Sequence, residues 1–290
     1  MSIRSRRSST DPVTAVTSPA PGLGVGKIAL RSLWLFIRDF PALMVLASLP
    51  AFAAGLVLYA IQSLFDPERT GWLLFVCLII LTTTLFQFVA LAAVAVRVMG
   101  GERSQGPAPS LGQALTRALS ARGAMFGFAL VMGAALILPL ALQSGGLVPP
   151  HSDGASRVLF GLLEYGAFCL ICLAPAVSMA ETRGLAALGR SLGVMAHGLW
   201  PVIAIAFVLR WNETVQAELS KEAVSALADF VSIAAQAPPA LEFYTFVIMV
   251  LAALMQGLGS GLTGTVLALV YLRLRESEGT EREALVGAFE

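Results

Sequence analysis

Long apolar runs alternate along this chain with short basic stretches. Phe40–Ile61, Trp72–Val96, Ala124–Leu142, Val158–Ala180 and Tyr244–Leu272 each approach or exceed the roughly 20 mostly apolar residues that a membrane-spanning helix needs. A sixth run, Leu199–Leu209, is apolar for only 11 residues, or about 17 Å at a helical rise of about 1.5 Å. Extended to Val194–Trp211 it reaches 18 residues and takes in His197, Pro201 and Arg210, whose polar ends can snorkel. A re-entrant hairpin competes with a crossing there.

The basic residues decide between the two. With six crossings, fifteen of the nineteen Lys and Arg fall on one side, and only Arg69, Arg157, Arg210 and Lys221 on the other. Such a bias marks the cytoplasmic side. Removing the fifth crossing would invert the last helix and place Arg273 and Arg275 outside. The expectation is therefore an all-α protein with spans at about 40–61, 72–96, 124–142, 158–180, 194–211 and 244–272, and both termini cytoplasmic.

The stretches before the outward-going spans have helical period. Leu30, Leu33, Trp34 and Ile37 share one face, as do Leu111, Leu115 and Leu119, and Leu185, Leu188, Leu192 and Met195. These are patterns of helices lying in a membrane interface. A short word recurs in them: Arg31-Ser32-Leu33, Arg117-Ala118-Leu119, Arg190-Ser191-Leu192. The predicted organisation is three parallel repeats, each a basic interfacial helix and a transmembrane hairpin. One further helix is predicted on the outer face, where Glu218, Glu222, Ser225, Asp229, Ser232 and Gln236 fall within a wedge of about 80° at about 100° per residue. Pro238 and Pro239 stop it.

Composition agrees. Of 290 residues, 57% are hydrophobic and 13% charged, against about a quarter charged in soluble domains. A disordered chain, a disulfide-stapled module and a basic nucleic-acid binder are excluded. Residues 1–22, polar and Arg-bearing, read as a disordered tail without a secretory pattern, residues 23–276 as the membrane domain and 277–290 as a polar cytoplasmic tail. Cys169 and Cys172 form C-x-x-C inside an apolar run with no second Cys or His cluster; they read as small packing groups.

The segment from Ala180-Glu181 to Arg190-Ser191-Leu192 and the closing Tyr271-Leu272-Arg273-Leu274-Arg275 resemble the family named after the membrane domain of glycerophosphoryl diester phosphodiesterases. The likeness covers most of residues 25–276 and rests on short motifs. It implies a stand-alone membrane module in a bacterial cytoplasmic membrane. It transfers no catalytic residue, because the soluble phosphodiesterase domain is missing and the histidines are only His151 and His197.

Candidate residues follow from the cost of polar groups in lipid. Glu164, an acid well inside a span, and Gln87 form a candidate intramembrane polar site; Glu164 could instead snorkel toward Arg157. Thr82, Thr83 and Thr84 read as packing glue. Gly257, Gly261 and Gly264 form a small-residue face for close helix packing, within the monomer or between two copies. Arg31, Arg38, Arg117, Arg122, Arg183 and Arg190 are candidate contacts to anionic headgroups. Glu181 reads as an interfacial anchor or a partner for Arg183 or Arg190. No catalytic set, metal site or cofactor is expected, and no nucleic acid. Expected partners are membrane lipids, with other membrane proteins or a second copy left open. The reading is a lipid- or partner-interacting structural or regulatory module; the alternative is a transporter or channel for a small or amphiphilic solute.

Overall fold

The computed structural model describes residues 24–65, 71–103, 107–144, 154–181, 184, 186–196, 198–234 and 238–289. Among them every regular element is a helix. In chain order these are α1 (Val25–Arg38), α2 (Phe40–Leu64), α3 (Trp72–Arg103), α4 (Leu111–Ser120), α5 (Arg122–Ser144), α6 (Gly154–Ile171), α7 (Ala174–Ala180), α8 (Ala186–Ala196), α9 (Leu199–Ala234) and α10 (Pro238–Phe289). The predicted tail 1–22, Arg183 and His197 lie outside the described residues.

Among the described residues five stretches are long and apolar enough to cross a membrane: Phe40–Leu64, Trp72–Glu102, Arg122–Leu142, Phe160–Ala180 and Thr245–Gly279. A sixth arises if α8 and the first part of α9, which meet at 115°, count as one bent span. The apolar run of the fifth predicted span is as short as the sequence suggests. It is prolonged differently, however: α9 runs unbroken through the segment expected to form a separate outer helix. The side chains of Asp229 and Ser232, and the whole of Gln236, lie outside the described residues. The helix ends at Ala234, and Pro238 opens α10, where proline's missing N–H is harmless. α10 then continues to Phe289, so most of the segment expected as a polar tail is helical.

The long helices close into a ring. α2 packs on α3, α3 on α5, α5 on α6, α6 on α9, α9 on α10, and α10 back on α2. α3 also packs on α10 and on α7, which continues α6 after a turn at Cys172-Leu173 and the helix-starting Pro175. The short helices lie against the same set: α1 on α10, α4 on α3, α8 on α7. Each of these helices thus rests on the second long helix of a neighbouring pair.

The seams are lined by small residues. A Cβ on Gly257 would meet the Ser48 backbone nitrogen at 2.9 Å, and one on Gly264 would meet Val94 Cγ1 at 2.8 Å. Gly261 faces Phe36, Leu43 and Ala47. These approaches bring α10 against α1, α2 and α3 within one chain. Thr265 and Thr84 return their hydroxyls to carbonyls of their own helices. Large apolar side chains cover the outside, among them Leu49, Tyr59, Leu74, Leu138, Leu162 and Val208.

Gly257→Ala is expected to cost about 1–3 kcal/mol, the range for overpacking a tight contact, read as a lower unfolding midpoint in detergent. Gly279→Ala, with no atom within 4 Å of the new Cβ, is the control and should leave stability unchanged or higher.

Candidate functional site

The three recurring words occupy matching environments. Ser32, Ala118 and Ser191 are 1%, 0% and 0% exposed, whereas Leu33, Leu119 and Leu192 are 48%, 45% and 45% exposed. The small residue packs inward and the leucine after it points out. The arginine before it reaches along the end of the bundle. Arg31 Nη2 bonds Glu102 Oε1 at 2.9 Å, near the end of α3. Arg117 Nη2 donates to the Met179 carbonyl at 3.0 Å, near the end of α7. Arg190 holds Glu278 with two hydrogen bonds of 2.9 and 2.6 Å, in the last turns of α10's apolar stretch.

Glu181 is the hub of this basic end. Its side chain is 13% exposed and follows α7 directly. Gly184, with φ of +76°, supplies the left-handed residue that turns the chain from Glu181 toward α8. Arg190 Nε donates to Glu181 Oε2 at 2.7 Å, and the Tyr271 hydroxyl to Oε1 at 2.6 Å. Arg275 Nη1 lies 3.1 Å from Oε1 and also donates to the Tyr271 oxygen at 3.1 Å. Tyr271 is fully buried. Burial alone would push the Glu181 carboxyl up, but the hydrogen bonds from Arg190 and Tyr271 and the charges of Arg275 and Arg190 more than offset it and hold the group below the ordinary carboxylate range.

The predicted arginines therefore divide. Arg190 spends all three guanidinium nitrogens on protein carboxylates and so joins α7, α8 and α10. Arg31 is shared between Glu102 and the exposed ring of Trp34, 4.7 Å from its centroid, and Arg38 lies 4.6 Å from the same ring. Arg122 is exposed at the start of α5. Arg97, outside the predicted set of headgroup contacts, donates to the Pro109 carbonyl at 2.7 Å and lies 3.8 Å from Asp39. It fastens the chain between α3 and α4.

Next to Arg117 is a cavity of about 520 Å³, lined by Val96, Met99, Pro109, Gln113, Met179 and Ala180 among others. Gln113 also closes the capping box of α4 with Ser110. Pro109 lies so close to Gly100 that a Cβ there would meet its ring at 2.5 Å.

Glu164 lies away from the basic end. It pairs with Arg210 of α9, a partner that periodicity within one helix could not reveal, and Arg210 also lies 6.0 Å from the Phe168 ring. The Arg157 side chain is outside the described residues. Gln87 is on α3, which meets α7 rather than packing extensively on α6, so the structure does not gather Gln87 and Glu164 into one site. Cys172 donates its thiol to the Cys169 carbonyl. Among the described residues no group of three or more His, Cys, Asp or Glu is placed to hold a metal.

No known family, curated protein or solved structure matches the chain.

Two outcomes follow. Because the folded Glu181 carboxyl titrates below its unfolded value of about 4.3, its stabilisation is present above that value and is lost as pH falls through the lowered one. Glu181→Gln should lower the unfolding midpoint at pH 7, and its deficit should shrink as pH falls below about 4. Glu164→Gln removes the charge that Arg210 meets across α6 and α9 and should lower the unfolding midpoint. The swap Glu164→Arg with Arg210→Glu should recover at least half of that loss in the same thermal assay.

Proposed function

We propose that this chain is a six-span module of a bacterial cytoplasmic membrane that engages anionic lipid at its basic end, in a structural or regulatory role without chemistry of its own. The observation that carries this is the outward face of α1. Leu30, Leu33, Trp34 and Ile37 are 72%, 48%, 48% and 64% exposed, and two guanidinium groups flank the indole. Apolar side chains enter the acyl boundary and the indole suits the headgroup level; the two cations, paired on the protein side with Glu102 and Asp39, keep further N–H donors for anionic phosphates.

In this reading α1, α4 and α8 are the interfacial helices of three repeats. The matched burial of Ser32, Ala118 and Ser191 supports this, as do the arginine contacts to the ends of α3, α7 and α10. Both termini then lie on the cytoplasmic side, where the positive-inside rule puts the arginines. The resemblance to the membrane domain of the phosphodiesterase family rests in part on Glu181, Arg190, Tyr271 and Arg275. These are the residues that carry it in the sequence, and they meet in space.

A solute path through Glu164 and Gln87 is less well supported. Glu164 has Arg210 as a counter-charge, and Gln87 lies on a helix that meets α7 rather than α6.

Trp34→Ala combined with Arg38→Gln should weaken retention of phosphatidylglycerol by the purified protein several-fold, with phosphatidylcholine little affected. Native mass spectrometry of protein released from mixed micelles reads this directly. Equal retention of both lipids by wild type would sink the proposal.

A further inference from the structure

The three matched arginines are not equally neutralised. Arg31 has Glu102 and Arg190 has Glu278. Arg117 has a backbone carbonyl, Met179 O, and no carboxylate partner among the described residues. The acid that follows α7, two residues after the Met179 carbonyl that Arg117 meets, is Glu181. It is turned to Arg190, Tyr271 and Arg275. The third repeat thus takes two acids, Glu181 and Glu278, and the second keeps none for its arginine.

The open place is also the hollow one. The cavity of about 520 Å³ is lined by Arg117 and Gln113 together with apolar Val96, Met99, Pro109 and Met179. Its size falls in the range of about 300–1,000 Å³ typical of small-molecule sites. The Gln113 carbonyl oxygen is occupied by the Ser110 N–H, which leaves its amide NH₂ group as a donor beside the guanidinium. Two kinds of N–H donor, a net positive charge and an apolar flank suit an oxyanion on an amphiphile. Arginine favours phosphate through paired N–H donors.

We propose that the cavity between α3, α4 and α7 is a binding site for the phosphate of an anionic phospholipid, and that this phosphate replaces at Arg117 the carboxylates that Arg31 and Arg190 receive from the protein. The inference rests on the lipid-engaging reading above and sharpens it from an exposed face to one pocket.

The decisive variant is Gln113→Glu. A glutamate keeps the capping box, because its carboxylate also accepts from the Ser110 N–H. It also sets a negative charge four residues before Arg117, the favourable order on a helix. It should supply the missing counter-charge without unfolding the protein. Protein in neutral detergent is titrated with phosphatidylglycerol, with phosphatidylcholine and with inorganic phosphate alone, and bound lipid and unfolding midpoint are read. Wild type is expected to favour phosphatidylglycerol at least tenfold. In Gln113→Glu that preference should fall at least tenfold, with the lipid-free midpoint equal to or above wild type. Arg117→Gln should lose the preference as well.

A preference that survives in Gln113→Glu but vanishes in the Trp34 and Arg38 double variant overturns this site and leaves the lipid-engaging reading intact. Wild type without any preference overturns both. Protection by inorganic phosphate but not by phosphatidylglycerol overturns the lipid as occupant.

Discussion

A half-sequestered carboxylate has to be answered by charge and hydrogen bonds, or it will be protonated or expelled. Glu181 is answered by three groups from two helices: Arg190 from α8, and Tyr271 and Arg275 from α10. Since Glu181 itself ends α7, the contact fixes three elements at one point. Arg190 extends the tie to Glu278. The network therefore sets how far α10 slides along α7, and α10 in turn carries the glycines that seat it on α2 and α3. A shift of one helical turn at the basic end would take Gly257 away from Ser48 and Gly264 away from Val94.

Within lipid, apolar surface gives helices no reason to prefer one another, so packing and polar contacts have to specify the arrangement. Two kinds of contact do so here. Small residues allow backbones to approach on the α10 seams, where close fit supplies dispersion contacts. Charged side chains act at and beyond the ends: Arg31 on Glu102, Arg97 on Pro109, Arg117 on Met179 and Arg190 on two acids. Pairs of this sort contribute little on a wet surface. In a partly desolvated site, the geometry of the Arg190 hydrogen bonds matters more, because its carboxylates are held from several sides.

The sequence exposes local period and charge, and those parts of the fold were legible. The apolar runs marked the long helices, and the recurrence of Arg31, Arg117 and Arg190 marked residues that reach matching places. What stayed hidden depended on pairing across the chain. Nothing within the helix of Glu164 pointed to Arg210, because the two meet only when α6 and α9 lie together. The acids that hold Arg190 were hidden because they lie 9 and 88 residues away. The continuity of α9 was hidden for another reason. Its apolar run and its acidic face were read as two elements because their environments differ, yet no glycine or proline between Trp211 and Ala234 interrupts the helix.

The short apolar run at the start of α9 poses a physical problem that the same contacts answer. α8 and α9 meet at 115°, so this part of the chain cannot rely on the length of one straight apolar helix to hold its place. Ion pairs stand on both sides of the bend. Before it, Arg190 is fixed to Glu181 and Glu278; after it, Arg210 is fixed to Glu164. Leu209, Ala206, Ile205 and Val202 turn inward between them. The first tie sets the direction of α8 against α7 and α10, and the second sets the direction of α9 against α6. With both directions fixed from outside, the angle between the helices follows. The segment least able to specify its own course by hydrophobicity is thus the one whose neighbours specify it by charge.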